Sequence, residues 1–203
     1  MDEISLVSEK TLPENPFVLF GVWYDRHLSD VKKIPDSMFL GTTSAKGRVS
    51  VRTVLLKDYD NTGFTFFTNY NSKKGLQIES HRNVALLFYW PESGRQVRIE
   101  GVAEKTSIEV SDAYFATRTR DSQLSAWASM QSKIITDRLH LEATFNLYKE
   151  KFSGLPVPRP EYWGGYKISP FLFEFWEDRE NRLHDRVEYY LDKTRWIIRR
   201  LSP

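Results

Sequence analysis

The chain contains no cysteine, which excludes disulfides, thiolate-ligated zinc, iron–sulfur clusters and thiol nucleophiles, and accords with a reducing compartment. Histidine is sparse as well. His27, His81, His140 and His184 are scattered with no ligand-type spacing, so no metal site is expected. No Gly-x-Gly-x-x-Gly follows a strand-like run and no Walker loop is present, which leaves side chains as the only means of holding a phosphate. No apolar stretch approaches the roughly 20 residues of a membrane span. Residues 1–16 are acidic and polar and lack the apolar centre of a signal peptide. An excess of one charge is also missing: 29 Lys and Arg oppose 27 Asp and Glu, so any cationic site must be local. These absences predict a cytoplasmic protein with neither nucleic acid nor membrane as partner.

Aromatic residues are plentiful. At 203 residues, 40% hydrophobic and 14% aromatic, the chain can bury one sizeable core. Residues 1–14 read as a flexible arm and 15–203 as a single domain. After Asn15-Pro16, Phe17, Phe20, Trp23 and Tyr24 recur at helical spacing and predict a docking helix. Strands follow over 38–43, 48–57 and 64–68, expected as an antiparallel meander, with turns at 45–47 and 60–63. Ser72 caps a short helix over 73–80, strands cover 84–90 and 96–104, and Ser107 caps a helix through Arg118. Another helix runs from Asp137 through Phe152, a Pro-rich loop spans 154–160, and the last strands lie at 166–177, 182–190 and 196–201. Many strands with interspersed helices in no strict alternation predict a mainly β, α+β architecture: an antiparallel barrel with packed helices.

Several motifs concentrate cations. If 182–190 is a strand, Arg182, His184 and Arg186 share one face opposite Leu183 and Val187; three nitrogen donors in line repel one another unless an anion lies near. Arg52-Thr53-Val54-Leu55-Leu56-Lys57 carries a cation at each end of an aliphatic strand. Lys73 and Lys74 occupy a first helical turn, where the macrodipole disfavours positive charge and an anion reverses that penalty. Tyr114 and Arg118 are four residues apart on one helix face, with Ser122 just beyond its end. Gln96 can exchange hydrogen bonds with the edge of a heterocycle, and Gln131-Ser132 offers similar chemistry. Taken singly, each motif also reads as a solvated edge or a packed arginine stem, and Trp176, ending an aromatic strand with Phe171, Phe173 and Phe175, reads as core.

Taken together, Arg52 to Lys57, Phe67-Thr68-Asn69, Ser72-Lys73-Lys74, Arg95-Gln96-Val97, Arg120-Asp121-Ser122-Gln123, Gln131-Ser132, Trp163-Gly164-Gly165 and Arg182-Leu183-His184-Asp185-Arg186 resemble the pyridoxine (pyridoxamine) 5′-phosphate oxidase family, in order along 15–203. The resemblance implies an FMN-binding split β-barrel, Greek-key-like and antiparallel, forming a homodimer with FMN at the subunit interface. It implies oxidation of pyridoxamine 5′-phosphate and pyridoxine 5′-phosphate to pyridoxal 5′-phosphate, with O2 as electron acceptor and H2O2 as product, by hydride removal from the substrate to the flavin. Carried over, the FMN residues are Arg52, Thr53, Val54, Leu55, Leu56, Lys57, Phe67, Thr68, Lys73, Lys74, Gln96, Gln131, Ser132, Trp176 and Arg186. Lys57, Tyr114, Arg118 and Ser122 become the substrate-phosphate clamp, Arg182, Leu183 and His184 contact the substrate, and Arg182 and His184 are the catalytic pair.

The sequence departs from the family pattern at Lys73, Thr119, Ser125 and Glu177-Asp178, and the two acids beside Trp176 raise the question of whether they weaken FMN binding. Two other functions remain open. One is a related split-barrel flavin oxidase acting on another aromatic ring, as in phenazine assembly, against which the phosphate clamp argues. The other is a non-catalytic module that sequesters FMN or pyridoxal phosphate, against which Arg182 and His184 argue.

Overall fold

The computed structural model describes residue 6, residues 11–30 and residues 36–203. Among these described residues five α-helices, α1 (Pro16–Asp30), α2 (Lys73–Ser80), α3 (Ile108–Thr117), α4 (Arg120–Ala128) and α5 (Arg138–Lys151), accompany nine strands. The strands are β1 (Ser37–Thr43), β2 (Val49–Leu55), β3 (Asp58–Asp60), β4 (Gly63–Asn69), β5 (Asn83–Trp90), β6 (Arg95–Lys105), β7 (Trp163–Glu177), β8 (Asp185–Asp192) and β9 (Arg195–Arg200). They form one antiparallel sheet in the order β2-β1-β5-β6-β7-β4-β3, with β8 and β9 branching from β7. The sheet curls around its apolar face as a half-barrel, as the mainly β reading anticipates.

The expected meander of the first three strands does not form. β2 pairs with β1, whereas β4 crosses to the far side of the sheet and pairs with β7 and the short β3. A local turn at 60–63 is satisfied equally well by the β3–β4 hairpin, so turn chemistry alone did not distinguish the two pairings. The long 48–57 run is likewise interrupted between β2 and β3, where Lys57 donates its N–H to the Thr65 carbonyl.

β7 is the spine. A bulge leaves Phe171 without a counterpart in β6, since Gly101 faces Pro170 while Glu100 faces Leu172. An extra residue reverses the alternation of faces. Tyr166 and Ile168 point into the core before the bulge, and Phe173 and Phe175 do so after it. The outward positions after the bulge therefore fall to Glu174 and Trp176, and register aligns Trp176 with Gln96 on β6 and Arg186 on β8.

The core is aromatic. From α1, Phe17, Phe20, Trp23 and Tyr24 are all buried, with Phe20 meeting Phe64 and Phe88 edge-on at 4.9 and 5.0 Å. Burial of each such ring contributes about 2–3 kcal/mol before entropy is charged against it. The arm read as flexible is tied down where it is described: Leu6 and Leu12 are buried, the Leu6 carbonyl accepts from Arg200, and Pro13 accepts from the Tyr189 hydroxyl. The rest of residues 1–10 lies outside the described residues.

Helix ends follow their caps. Ser72, Ser107 and Asp137 accept the N–H groups of Gly75, Val110 and His140. One helix was not anticipated: Thr119 caps α4, so Ser122, which does lie beyond the end of α3, falls in the first turn of a second helix.

Glu177, one of the two acids beside Trp176, points to the core side. Its carboxylate accepts from Arg95 at 2.8 and 2.9 Å and from Arg179 at 2.7 Å, and Arg95 in turn lies 4.6 Å over the Trp23 ring. The Arg95 and Glu177 side chains retain only 6% and 10% exposure. Glu177 therefore acts as the counter-charge of a buried arginine and presents no charge to the Trp176 face. Glu177→Ala removes the carboxylate that both Arg95 and Arg179 share and should cost about 3 kcal/mol, read as a lowered midpoint in urea unfolding at fixed protein concentration.

Candidate functional site

A cavity of about 510 Å³ opens at the edge of the sheet where β2, the end of β4, the start of α2, α3, α4 and the start of β7 converge. Arg52, Thr53, Val54, Leu55, Lys57, Phe67, Thr68, Lys74, Tyr114, Arg118, Ser122 and Gln131 all line it. The sequence had scattered them over eighty residues. Four cations and no carboxylate stand among the described lining residues, an arrangement that favours an anion between them, a carboxylate reaching in from outside the lining, or partial loss of charge.

Each cation is held differently. Arg52 projects from β2 and donates to the Leu40 carbonyl at 2.9 Å, to Thr42 Oγ1 at 2.6 Å and to Gln77 Oε1 at 3.2 Å, joining β1, β2 and α2. Lys74, in the first turn of α2, donates to Thr68 Oγ1 at 3.1 Å and Gln131 Oε1 at 3.0 Å. Burial first and then the Arg52 charge bring its pKa down to about 8. The turn of α2 can come this close because residue 75 is glycine: a Cβ there would sit 2.0 Å from the Tyr70 carbonyl oxygen. Lys57 is paired with Asp36, a partner the sequence did not indicate.

Arg118 stands at the C-terminal end of α3 with extended backbone, so it and Tyr114 are not a helical i,i+4 pair, although both reach the same cavity. Its guanidinium lies 4.6 Å over the Trp163 ring, burial pushes its pKa down, and its Nη1 is buried without a hydrogen-bond partner. Tyr114 stacks on Phe67 with centroids 3.8 Å apart, and Phe67 stacks on Trp163 at 5.6 Å. Gly165 makes room for this wall, since a Cβ there would meet the Phe67 ring at 2.9 Å. Trp163 and Thr119 complete the lining and were not assigned from sequence; the spacing of Thr119 to Ser122, that of an N-cap, was the available signal.

Other candidates lie elsewhere. Leu56 is 4% exposed and belongs to the core, as alternation from Leu55 requires, so its side chain does not face the cavity. Lys73 and Ser132 are exposed and do not line the cavity, although Ser132 adopts a left-handed backbone (φ 71°) beside Gln131. Gln96, Trp176 and Arg186 form a row across β6, β7 and β8 on the outer face of the sheet.

Arg182 and His184 precede β8 instead of belonging to it. Asn181 and Arg182 have φ of 56° and 60°, a tight turn that breaks the period-two face expected for Arg182, His184 and Arg186. Arg182 and Leu183 are exposed, while His184 packs against Trp176 with ring centroids 4.7 Å apart. Its Nδ1 accepts the Arg179 N–H at 3.2 Å and lies 3.0 Å from the Asp178 carboxylate. The residues read as one site thus form two groups, a cationic cavity and an outer-face row with its turn.

Residues 25–151 match the family model described as pyridoxamine 5′-phosphate oxidase, and residues 163–203 match that described as the pyridoxine 5′-phosphate oxidase C-terminal dimerisation region. The chain belongs to the pyridoxamine 5′-phosphate oxidase family. It is 49% identical to the pyridoxine/pyridoxamine 5′-phosphate oxidase of Rubrobacter xylanophilus over 97% of this chain and 91% of the relative. It is 49% identical to that of Crocosphaera subtropica over 95% and 91%. Among solved structures, PhzG from Burkholderia lata 383, in complex with tetrahydrophenazine-1-carboxylic acid, superposes with a TM-score of 0.89 at 29% identity over 96% of this chain and 95% of that one. A pyridoxamine 5′-phosphate oxidase-related, FMN-binding protein from Nostoc punctiforme shares the fold, with a TM-score of 0.71 at 17% identity over 95% and 98%. The half-barrel is thus the split barrel of this family. No helix among the described residues is long and apolar enough to cross a membrane.

The lowered pKa of Lys74 has a sign that can be checked. An unfolded lysine titrates near 10.4, so the folded chain loses this proton first, and Lys74 makes folding more favourable as pH rises between about 8 and that value. A bound phosphate dianion acts in the opposite direction by holding the proton on. The affinity for a phosphate monoester is expected to be level near pH 7 and to fall as pH rises through 8, measured by calorimetry, with the fall at pH 8 removed by Lys74→Met.

Proposed function

We propose that the chain catalyses the FMN-dependent oxidation of pyridoxamine 5′-phosphate and pyridoxine 5′-phosphate to pyridoxal 5′-phosphate, with O2 as acceptor and H2O2 as product. Family membership makes it an FMN-dependent oxidoreductase of vitamin B6 metabolism and a homodimer. The observation that carries the substrate reading is the cavity, lined by four cations, of which only Lys57 is paired with a carboxylate among the described residues, by five hydroxyls and by an unpartnered Arg118 nitrogen. Such donors suit two phosphate groups, one on the cofactor and one on the substrate.

Arg52, Lys74, Thr68 and Gln131 cluster at the start of α2 and would hold the FMN phosphate and ribityl chain, while Lys57, Tyr114, Arg118 and Ser122 would hold the substrate phosphate. FMN, when bound, supplies the two-electron acceptor. The protein supplies position and charge. Arg182, exposed on its tight turn, can close over the substrate ring. The His184 Nδ1 is engaged by the Arg179 N–H and the Asp178 carboxylate, which orients the ring and leaves Nε2 as the nitrogen that would hold or move a substrate proton.

The two groups of residues meet across the subunit interface in this reading. The outer face continues from Gln96 and Arg98 onto Phe39, Val51, Leu87 and Tyr89, which line a second, apolar groove, with Val51 65% and Tyr89 53% exposed. Such a patch suits burial against a second copy, and the family's dimerisation region contains β7, β8 and β9. Each active site would combine the cavity of one subunit with Gln96, Trp176, Arg182, His184 and Arg186 of the other.

The FMN-loaded protein mixed anaerobically with pyridoxamine 5′-phosphate should lose its oxidised-flavin absorbance and recover it with pyridoxal 5′-phosphate when O2 is admitted. Binding without bleaching would favour a sequestering module, and no binding would favour an unphosphorylated aromatic substrate of the kind seen with PhzG. The shared site has its own test. Lys57→Ala and Arg182→Ala, each inactive alone, should recover about a quarter of wild-type activity when subunits are mixed at random, since half the dimers then hold one intact site. No recovery would place both residues in one subunit's site.

A further inference from the structure

Glu174 lies on the outer face of β7 and yet is 4% exposed. Its Oε1 accepts from Arg186 Nε at 2.9 Å and Nη2 at 2.8 Å, and its Oε2 accepts from Arg98 Nη1 at 2.7 Å. Arg186 Nη1 donates to the Ser202 carbonyl at 2.7 Å. Three of the five N–H groups of Arg186 are therefore committed within the chain, which fixes the guanidinium plane and leaves two for a ligand. Without the carboxylate, Arg98 on β6 and Arg186 on β8 would repel one another across β7. With it, and with Glu100 3.3 Å from Arg98, that repulsion is offset, and beside Trp176 stands an arginine whose direction is set before any ligand arrives.

We propose that Glu174 is a positioning residue for FMN, acting through Arg186: it orients the guanidinium and sets how much positive charge that guanidinium presents. This rests on the reading that Arg186 faces FMN. A buried carboxylate is a costly way to fill a sheet position, and a Glu facing solvent would need neither arginine. Its burial between two guanidinium groups is explained if a preset, partly neutralised Arg186 binds the cofactor without paying to order a long side chain.

The test is a double-mutant cycle on the full-length chain, with FMN added to apoprotein and binding followed by flavin fluorescence, the visible circular dichroism of the bound flavin and its midpoint potential. Glu174→Gln preserves volume and one acceptor, and is expected to weaken FMN binding about tenfold. It should also change the flavin dichroism and move the potential upward, because a negative charge has been removed near the reduced flavin. In the Arg186→Ala background the same substitution should change the affinity less than twofold. An effect of equal size in both backgrounds would overturn the positioning role, and so would wild-type affinity, dichroism and potential in Glu174→Gln beside a weakened Arg186→Ala. If Arg186→Ala itself binds FMN with wild-type affinity and dichroism, the placement of Arg186 is wrong and the proposal falls with it, an outcome distinguishable from the first two.

Discussion

The bulge at Phe171 sets what each part of β7 can do. Upstream of it the even-numbered side chains of β7 face the core, and downstream the odd-numbered ones do, so a single strand of fifteen residues serves two surfaces. Trp163 and the two glycines after it build the wall of the cationic cavity. Phe173 and Phe175 close the apolar core against α1. Glu174 and Trp176 are thereby turned outward, in register with Gln96 and Arg186. Removing that one inserted residue would turn the downstream half inside out, because a shift of one position exchanges the faces of every side chain beyond it.

Charge is organised by the same strand. Inside the sheet, Glu177 neutralises Arg95 beneath the Trp23 ring; outside it, Glu174 neutralises part of the Arg98 and Arg186 pair. At the far end of β7 the cavity cations have almost no such compensation, with Asp36 on Lys57 the exception. Lys74 and Arg118 instead give up part of their affinity for the proton. The contrast separates arginines that the fold has satisfied from cations that the fold has left for a ligand.

Much of the architecture could be read from local signals. Ser72, Ser107 and Asp137 mark helix starts because their side chains satisfy N–H groups three residues on, a purely local arrangement. Alternation identified most strands. The pairing of β4 with β7 was not legible, since Phe64 to Thr68 carries the same pattern whichever neighbour it takes, and α4 was missed because Thr119 is a weaker cap signal in a run of short polar residues. At the site, the residue types were legible and their grouping was not: Leu56 was included through continuity with Leu55, and Arg182 was placed on the strand face of Arg186 because nothing in the letters marks the positive φ values at 181 and 182.

The sequence by itself determined the family, the cations and hydroxyls available to bind phosphate, the aromatic core and the ends of most helices. These depend on residue identity and on contacts a few positions away. Tertiary structure alone decided that Arg52, Lys57, Lys74 and Arg118 converge in one cavity while Gln96, Trp176 and Arg186 align on another face. It decided also that Glu177 is buried against Arg95. The physical reason is that a sheet joins residues a hundred positions apart through backbone hydrogen bonds that are indifferent to side chains, so only the complete set of pairings, bulge included, fixes which side chains meet.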